Sequence, residues 1–259
     1  MRRQHREKRL KKNSSIFLPV IILTIVLSMI LTLIFIWYKV YSLPKFSYVE
    51  KSPDNGSFVT IVDSKSDKSV RYKINPDKVL SSSRGLGEYK LESLWILSEK
   101  EGYKGSLVSE SVTSNFLSPV YLWKNGKSSN LNIFQKIKVF LISKQNIVEE
   151  KVLNDFELSN SILINFINNS IQESGSMVEI EDLTGNSNTV AKISSILGTL
   201  GTKVSGYTKG YDENLDCEVS GSDPSIVKEI SKIFDCEINS DSDSPNIHIR
   251  IGAKFSDRF

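Results

Sequence analysis

The longest apolar run in the sequence comes near its start. Residues 16–38 contain no charged side chain, and sixteen of these 23 residues are Ile, Leu, Val or Phe. A helix of that length extends about 35 Å at ~1.5 Å per residue, which exceeds the roughly 30 Å hydrocarbon core of a bilayer. The pattern therefore predicts one transmembrane helix that contacts the lipid bilayer.

A cleaved signal peptide is the alternative interpretation of this segment. Such a peptide has an apolar core of about 7 to 15 residues followed by a small-residue cleavage site. Residues 39–44 contain no such site, and Trp37 and Tyr38 are typical of an interfacial aromatic belt. We therefore expect an uncleaved anchor.

Further along the chain, shorter patterns predict a mixed α/β domain. Two alternating segments separated by a polar run indicate a β-hairpin, and the segments that follow have helical spacing apart from one strand with a turn. The hairpin strands are residues 58–63 and 69–74; the helices are 89–101, 106–116 and 132–143; the strand is 120–126. We assign residues 57–145 to this domain and residues 146–176 to a helical connector, with a helical segment over residues 161–171.

The last 80 residues have the clearest pattern. A strand and a helix are followed by two strands, a second helix with Asp223 as its cap and Pro224 at its first position, and a final strand in which Ile247, Ile249 and Ile251 alternate with polar residues. The order β-α-β-β-α-β predicts an α/β sandwich over residues 177–256, with both helices on one side of the sheet. The whole chain is thus predicted to be an α/β (α+β) protein.

Charge is distributed unevenly around the apolar run. Residues 1–15 contain seven Lys or Arg and one acidic residue, a net charge of +6, whereas the remaining residues carry 26 basic and 29 acidic side chains, a net charge of −3. Because positive flanks remain in the cytoplasm, we predict a cytoplasmic tail (1–15), a membrane helix (16–38), a stalk (39–56) and an extracytoplasmic body. The acidic body gives no reason to expect nucleic-acid binding.

The turn around Gly185 begins a helix after a strand, as many phosphate-binding sites do. The sequence Gly185-Asn-Ser-Asn-Thr189 has neither the glycine spacing nor the lysine of a Walker or dinucleotide motif. We expect a structural turn with Asn and Ser as caps. Weak anion or sugar binding at the helix N-terminus is the alternative.

Few residues suit catalysis or metal binding. His5 and His248 are the only histidines, and no nucleophile motif accompanies them, so we predict no catalytic residue, no metal site and no cofactor. The acidic pairs Glu149/Glu150 and Asp241/Asp243 are expected to be solvated. Arg71, Lys73 and Arg84 are the candidates for binding an anion or a polymer, and an ordinary surface loop is the alternative for Arg84.

Cys217 and Cys236 are the only cysteines. Outside the cytoplasm a disulfide between them is chemically permitted, and closing a loop of about 20 residues would contribute roughly 3 kcal/mol. Two buried free thiols are the alternative.

Three segments of the last region resemble the C-terminal domain of the LytR/CpsA/Psr cell-envelope family. In that domain the first strand ends in an Asn-x-Thr-Gly-like turn and the last strand in Leu-Gly-x-Asp-Phe; here Asp182-Leu-Thr-Gly185 and Ile251-Gly-Ala-Lys-Phe255 are close variants, and residues 189–204 match the helix and strand between them. Residues 57–145 resemble a reduced catalytic domain of the same family. Ile74-Asn-Pro-Asp-Lys78 lies where the family has Ile-Pro-Arg-Asp-Thr, with Pro76 at the arginine position.

The resemblance implies a protein of the bacterial cell envelope. Because the arginine and the upstream Asp/Arg segment of the family have no counterpart, we expect a non-catalytic protein that binds a wall component or an envelope protein. The first alternative is a phosphotransferase that attaches glycopolymers from a lipid diphosphate to the cell wall, which requires Arg71, Lys73 and Arg84 to converge. The second is a signalling protein whose basic tail contacts anionic lipid or a cytoplasmic partner.

Overall fold

The computed structural model of the chain describes residues 2–144, 148–152, 163–239 and 246–259, with side chains from residue 18 onward except at 144, 148–152 and 163. The chain divides into two units, Met1–Leu43 and Pro44–Phe259. Its secondary structure is a mixture of helices and mixed sheets, which confirms the predicted α/β (α+β) class.

The first unit consists of one helix, α1 (Arg2–Tyr41). Within it, Leu18–Tyr41 has a mean hydropathy of 2.9 and is long and apolar enough to cross a membrane. Among the described residues it is the one helix of that length and composition, which agrees with the predicted N-terminal membrane helix. The basic segment predicted as a tail forms the first turns of the same helix, and its cytoplasmic location remains a prediction.

The first strands of the second unit are β1 (Phe46–Lys51), β2 (Ser57–Asp63), β3 (Lys68–Ile74), β4 (Val79–Ser81), β5 (Glu88–Lys90), β6 (Leu122–Asn125), β7 (Ser128–Ser129) and β8 (Val148–Val152). Six of them form one sheet in the order β7-β6-β1-β2-β3-β8. β1, β2 and β3 are antiparallel neighbours, which confirms the predicted hairpin, while β6 and β8 run parallel to β1 and β3. A separate two-stranded ribbon, β4 and β5, precedes the first helix of the unit.

Two sequence-based assignments in this region are wrong. Residues 39–56 were predicted as a stalk, but α1 continues to Tyr41 and β1 is an inner strand whose Phe46, Tyr48 and Val49 are buried. Residues 146–176 were predicted as a helical connector, but β8 adds to the sheet beside β3. β1 is buried on both of its faces, so its sequence shows no clear alternation, and β8 forms by pairing with the distant strand β3.

Helices cover the two faces of this sheet. On one face, α2 (Leu91–Lys100) and α3 (Ser106–Phe116) pack on a buried core that includes Val49, Ile61 and Trp95, whose indole Nε1 donates a hydrogen bond to Ser57 Oγ at 2.8 Å. On the other face lies α4 (Ile133–Lys144). The sheet is therefore covered on both sides.

Two short helices follow in the connector, α5 (Leu163–Phe166) and α6 (Asn169–Ser174). The single helical segment expected over residues 161–171 is thus divided, and its first two residues lie outside the described part. The division occurs at Asn168, whose side chain accepts a hydrogen bond from the Ser170 amide and whose own amide donates to Leu200 O at 3.1 Å. Phe166 packs in the hydrophobic core beneath α2 and α3. Ile171 packs in a second hydrophobic core, which also contains Ile249.

The elements of the rest of the unit are β9 (Met177–Leu183), α7 (Ser187–Leu200), β10 (Lys203–Lys209), β11 (Cys217–Ser220), α8 (Pro224–Phe234), β12 (Glu237–Ile238), β13 (Ile247–Gly252) and α9 (Ala253–Arg258). The strands form a five-stranded sheet in the order β10-β9-β13-β11-β12, with helices on one face. The predicted order β-α-β-β-α-β is confirmed, with the short strand β12 and the helix α9 as additions.

The polar residues of this region cap a helix and face solvent, as predicted from the sequence. The Asp223 side chain accepts hydrogen bonds from the amides of Ser225 and Ile226, at 2.9 and 3.3 Å, and so caps α8. Ile247, Ile249 and Ile251 are buried against α7 and α8, whereas His248 and Arg250 lie on the opposite, exposed face. The alternation in β13 therefore reports one buried and one solvated face.

Candidate functional site

Basic side chains gather in a cavity of about 350 Å³ between the six-stranded sheet and α4, which we call the α4 cavity. Five strands and α4 supply its walls, so residues far apart in sequence meet there. Its polar lining includes Tyr48, Thr60, Arg71, Lys124 and Lys136.

The period-two geometry of the strands explains why these side chains meet. Tyr48, Thr60 and Arg71 are register partners across β1, β2 and β3, and Glu50 lies opposite Lys124 of β6. Successive side chains on a strand point to opposite faces, so these residues line the α4 cavity while their chain neighbours, such as Val49, enter the core beneath α2 and α3.

The electrostatics of the α4 cavity are dominated by positive charge. Glu50 contacts Arg71 at 3.5 Å and Lys124 at 2.6 Å, and among the described lining residues it opposes four basic ones, since Lys127 and Lys136 also line the cavity. The Arg71 guanidinium lies 4.7 Å from the centroid of the Phe58 ring. Its Nε is buried and makes no hydrogen bond to a described residue.

Tyr48 contributes a neutral donor at the base of the α4 cavity. Its side chain is buried, and this burial, followed by the charge of Glu50, raises the pKa of its hydroxyl above the ordinary value of 10.0. The hydroxyl therefore keeps its proton at neutral pH. Val62, Leu131 and Ile142 form apolar parts of the wall, which lower the local dielectric and strengthen contacts to an anion.

The three predicted anion-binding residues do not converge. Arg71 lines the α4 cavity. Lys73 instead pairs with Asp54 at 2.6 Å, and the hydrogen bond from Lys73 lowers the pKa of Asp54 to about 2. Arg84 lies elsewhere: its Nε and Nη2 donate to the Glu110 carboxylate at 2.9 and 2.7 Å.

The predicted surface loop around Arg84 is ordered by its neighbours. The Ser83 amide donates to Ser111 Oγ at 2.9 Å, and the Arg84 guanidinium stacks 4.6 Å from the centroid of the Tyr103 ring. The hydrogen bond that Arg84 donates to Glu110 is the largest influence on the pKa of Arg84 and raises it. Arg84 is therefore occupied in an internal ion pair.

A second cavity, of about 400 Å³, is lined by Arg84, Tyr121, Lys232 and Arg258. Its charges are engaged internally: Arg258 Nε donates to Asp216 at 2.8 Å, and the Tyr121 hydroxyl donates to Glu229 Oε2 at 3.2 Å. Burial raises the pKa of Tyr121 and of Glu229. The Arg258 contact joins α9 to the residue before β11, and the Tyr121 contact joins the residue before β6 to α8, so this cavity is a weaker candidate for a ligand site.

The turn at Gly185 is structural. Gly185 has a φ of +71°, a conformation that favours glycine, and the Tyr211 ring lies 3.4 Å from where a Cβ would be. The Asn186 side chain accepts a hydrogen bond from the Asn188 amide at 3.1 Å and caps α7, as predicted.

The remaining candidates lie in the last region. Cys217 and Cys236 form a disulfide with a Cα–Cα distance of 4.6 Å, which joins β11 to the residue before β12. His248 is partly exposed and lies 3.3 Å from Glu179. In the described parts of the chain, no three His, Cys, Asp or Glu side chains are grouped as metal ligands. The side chains of Glu149 and Glu150, and residues Asp241 and Asp243, lie outside the described residues.

Comparisons with known proteins add little to this geometry. No family model matches the chain, and no curated protein matches it. One similar solved structure is the crystal structure of protein gbs0355 from Streptococcus agalactiae, which is 9% identical, covers 81% of this chain and 94% of its own, and has a TM-score of 0.26. Similarity at that level establishes neither a shared fold nor a function.

Proposed function

We propose that the chain is a single-pass, non-catalytic protein of the bacterial cell envelope, whose unit Pro44–Phe259 lies outside the cytoplasm and binds an anionic wall component in the α4 cavity. The observation that carries the proposal is the meeting of Arg71, Lys124, Lys127 and Lys136 around one concave site. The resemblance of residues 177–255 to the LytR-type domain supports the envelope assignment.

Two independent features support the placement of the unit Pro44–Phe259 outside the cytoplasm. The +6 segment precedes the membrane helix, and positive flanks are retained in the cytoplasm. The disulfide between Cys217 and Cys236 belongs to a compartment in which thiols are oxidised, whereas cytoplasmic thiols are kept reduced.

The α4 cavity suits an anion for physical reasons. The α4 cavity is lined by more basic than acidic residues. Salt screens their charges less in a partly enclosed site than in open solvent. The ammonium groups of Lys124, Lys127 and Lys136 are donors, and a phosphate or carboxylate oxygen accepts from such groups. Lys127 and Lys136 are exposed and extend the positive surface, which fits a ligand with repeated negative charges.

Binding is favoured over group transfer because of the placement of the basic residues. The transferase alternative requires Arg71, Lys73 and Arg84 to face one cleft, yet Arg71 and Arg84 line different cavities and Lys73 pairs with Asp54. A ligand held by the α4 cavity would meet lysines and a protonated tyrosine, which bind and orient an anion.

The test is a titration of the full chain in detergent micelles with a phosphate-rich wall polymer, and with a neutral polysaccharide of equal length as the control ligand. We expect the anionic polymer to bind, its affinity to fall as salt rises, and the double variant Lys127→Glu/Lys136→Glu to weaken binding about tenfold or more. The matched control Lys100→Glu/Lys104→Glu changes the charge equally at exposed positions outside the cavity. Equal weakening by both double variants, or equal binding of the neutral polymer, contradicts the proposal.

A further inference from the structure

The helix α4 has its polar and apolar residues reversed relative to an ordinary surface helix. Gln135 and Lys138, which are polar, are buried. Ile133 and Phe140, which are apolar, are 64% and 56% exposed, and Ile137 between them is half-buried. A helix that covers a sheet normally turns its apolar side inward and its charged side to water. The outer side of α4 is therefore apolar at positions where water would favour polar residues.

Contacts within the chain hold the buried polar residues of α4 in place. The Gln135 side chain accepts a hydrogen bond from the Asn132 amide at 2.9 Å, and the Gln135 amide donates to the Asn132 side chain at 2.9 Å, so this pair caps the start of the helix. Lys138 Nζ pairs with the carboxylate of Asp67, the residue before β3. These inward contacts fix the rotation of α4 about its axis and leave Ile133 on its outer side.

Three apolar residues form one stripe on the outer side of α4, which we call the α4 stripe: Ile133, Ile137 and Phe140. They are spaced by four and three positions, so they lie on the same side of the helix. Lys136 is exposed, three positions after Ile133 and four before Phe140, and therefore borders the stripe. Apolar residues bordered by lysine are typical of helices that lie in the interface of a membrane.

The membrane helix brings a bilayer within reach of the α4 stripe. α1 ends at Tyr41 and β1 begins at Phe46. Five residue steps extend at most about 18 Å, whereas a helix with its side chains is about 10 to 12 Å across. The connection is therefore long enough to span the thickness of α4 between the sheet and a bilayer surface. Because every copy of the chain carries this connection, even a weak contact forms at a high effective concentration.

Charge favours a lipid surface over a second copy of the chain. α4 contains three lysines and no acidic residue. A second copy on the α4 stripe would place Lys136 beside an identical, positive helix, whereas anionic lipid phosphates would offset the charge. The long Lys136 side chain can keep its amine at the phosphates while the apolar residues enter the bilayer.

We propose that α4 lies on the bilayer surface as an interfacial helix, with the α4 stripe entering the boundary between headgroups and acyl chains and Lys136 contacting anionic phosphates. The contact forms with whichever leaflet lies on the side of the unit Pro44–Phe259, so it does not depend on the function proposed above. Because Lys136 and Phe140 also line the α4 cavity, the contact places that cavity at the membrane surface.

The test uses the full chain in nanodiscs of mixed phosphatidylcholine and phosphatidylglycerol, with a spin label on Ile133→Cys. The matched control is a label on Ile96→Cys, an exposed apolar position on α2, which covers the opposite face of the six-stranded sheet. Because the two native cysteines form a disulfide, only the added cysteine takes the label. Power-saturation electron paramagnetic resonance compares collisions with oxygen, which concentrates in lipid, and with a nickel complex, which stays in water. We expect a severalfold higher oxygen-to-nickel ratio at position 133, at a depth of about 5 to 10 Å.

A second substitution tests whether the α4 stripe makes the contact. Phe140→Glu, added to the chain labelled at position 133, should lower the ratio to the value at position 96, whereas Val79→Glu, the same change at an exposed position on β4, should leave it high. An unchanged spectrum of the label at position 96 in the Phe140→Glu background shows that the variant is folded. Equal ratios at positions 133 and 96 overturn the proposal, as do equal effects of the two Glu substitutions. Protection of the label at position 133 from both reagents would show that protein covers the stripe and would also overturn it.

Discussion

The two sheets of the unit Pro44–Phe259 use the same strand geometry with different surroundings. The six-stranded sheet has α2 and α3 on one face and α4 on the other. The five-stranded sheet has α7 and α8 on one face, and its opposite face exposes Glu179, His248 and Arg250. Polar residues on a covered face form a candidate site, whereas the same residue types on an uncovered face are solvated.

Two arginines illustrate the difference. Arg250 bonds Glu181 at 2.6 Å and Glu218 at 2.9 Å on the exposed face, where the side chains of Arg250 and Glu181 are about two-fifths exposed. Ion pairs in such surroundings contribute about 0 to 1 kcal/mol. Arg71 and Glu50 are 28% and 19% exposed beneath α4, so their charges act in a less polar medium. Coverage of the sheet, more than residue type, makes Arg71 a candidate for ligand binding.

The largest expected effect tests the one-sided burial of the five-stranded sheet. Ile249→Ala removes a fully buried side chain at the centre of β13 and should lower the free energy of unfolding by about 2 to 5 kcal/mol. His248→Ala, one residue away on the exposed face, should change it by about 0.5 kcal/mol or less. Urea unfolding of the full chain in detergent measures both. Similar losses in the two variants would contradict one-sided burial.

The disulfide should affect only the region of the five-stranded sheet. We expect Cys217→Ser/Cys236→Ser to lower the free energy of unfolding of this region by roughly 3 kcal/mol. The bridge restricts the unfolded chain over a separation of 19 residues. Hydrogen exchange followed by mass spectrometry should show faster exchange in β11 and α8 and little change in β2 and β3. Uniform acceleration in both sheets would show that the two regions unfold together.

A glycine substitution tests the packing beneath α3. A Cβ at Gly105 would overlap the Trp123 ring, so Gly105→Ala should destabilise the protein by about 1 to 3 kcal/mol. The control is Gly198→Ala in α7, where a Cβ meets nothing within 4 Å; helix propensity should make this variant more stable by up to about 1 kcal/mol. The two variants should therefore shift thermal unfolding in opposite directions.

The smallest expected effect is a pH dependence at Glu229. Burial raises the pKa of its carboxyl above the ordinary 4.5, so the folded state holds this proton more tightly than the unfolded state does. The resulting stabilisation is fully present below about pH 4.5 and is lost as pH rises through the folded-state pKa. Glu229→Gln should remove this decline, which urea unfolding at a series of pH values above 4.5 can detect. An unchanged pH profile in the variant would contradict the inferred burial effect.

The sequence predicted the five-stranded region well because its signals are local. The alternation of Ile247, Ile249 and Ile251 reports one buried face directly, and Asp223-Pro224 defines the start of α8 through bonds within one turn. Each of these signals involves residues only a few positions apart. Local patterns are sufficient to predict a strand where one face of the sheet is buried and the other is exposed to solvent.

The α4 cavity could not be predicted because its contacts are non-local. Glu50 and Lys124 are 74 residues apart in sequence and become neighbours only through the parallel pairing of β1 with β6. Lys127 and Lys136 resemble ordinary surface lysines until α4 is placed over the sheet. Sequence reasoning therefore found Arg71 but missed its basic neighbours, and it grouped Arg71 with Lys73 and Arg84, which lie elsewhere.

The most direct test of the account is the side of the membrane on which the unit Pro44–Phe259 lies. Alkaline phosphatase, which is active only outside the cytoplasm, is fused after Phe259, with a second fusion in which the seven basic residues of positions 1–15 are changed to Glu as the control for orientation. The account predicts high phosphatase activity from the first fusion and reduced activity from the second. An inactive first fusion, together with bright fluorescence from a cytoplasmic reporter at the same position, would contradict it.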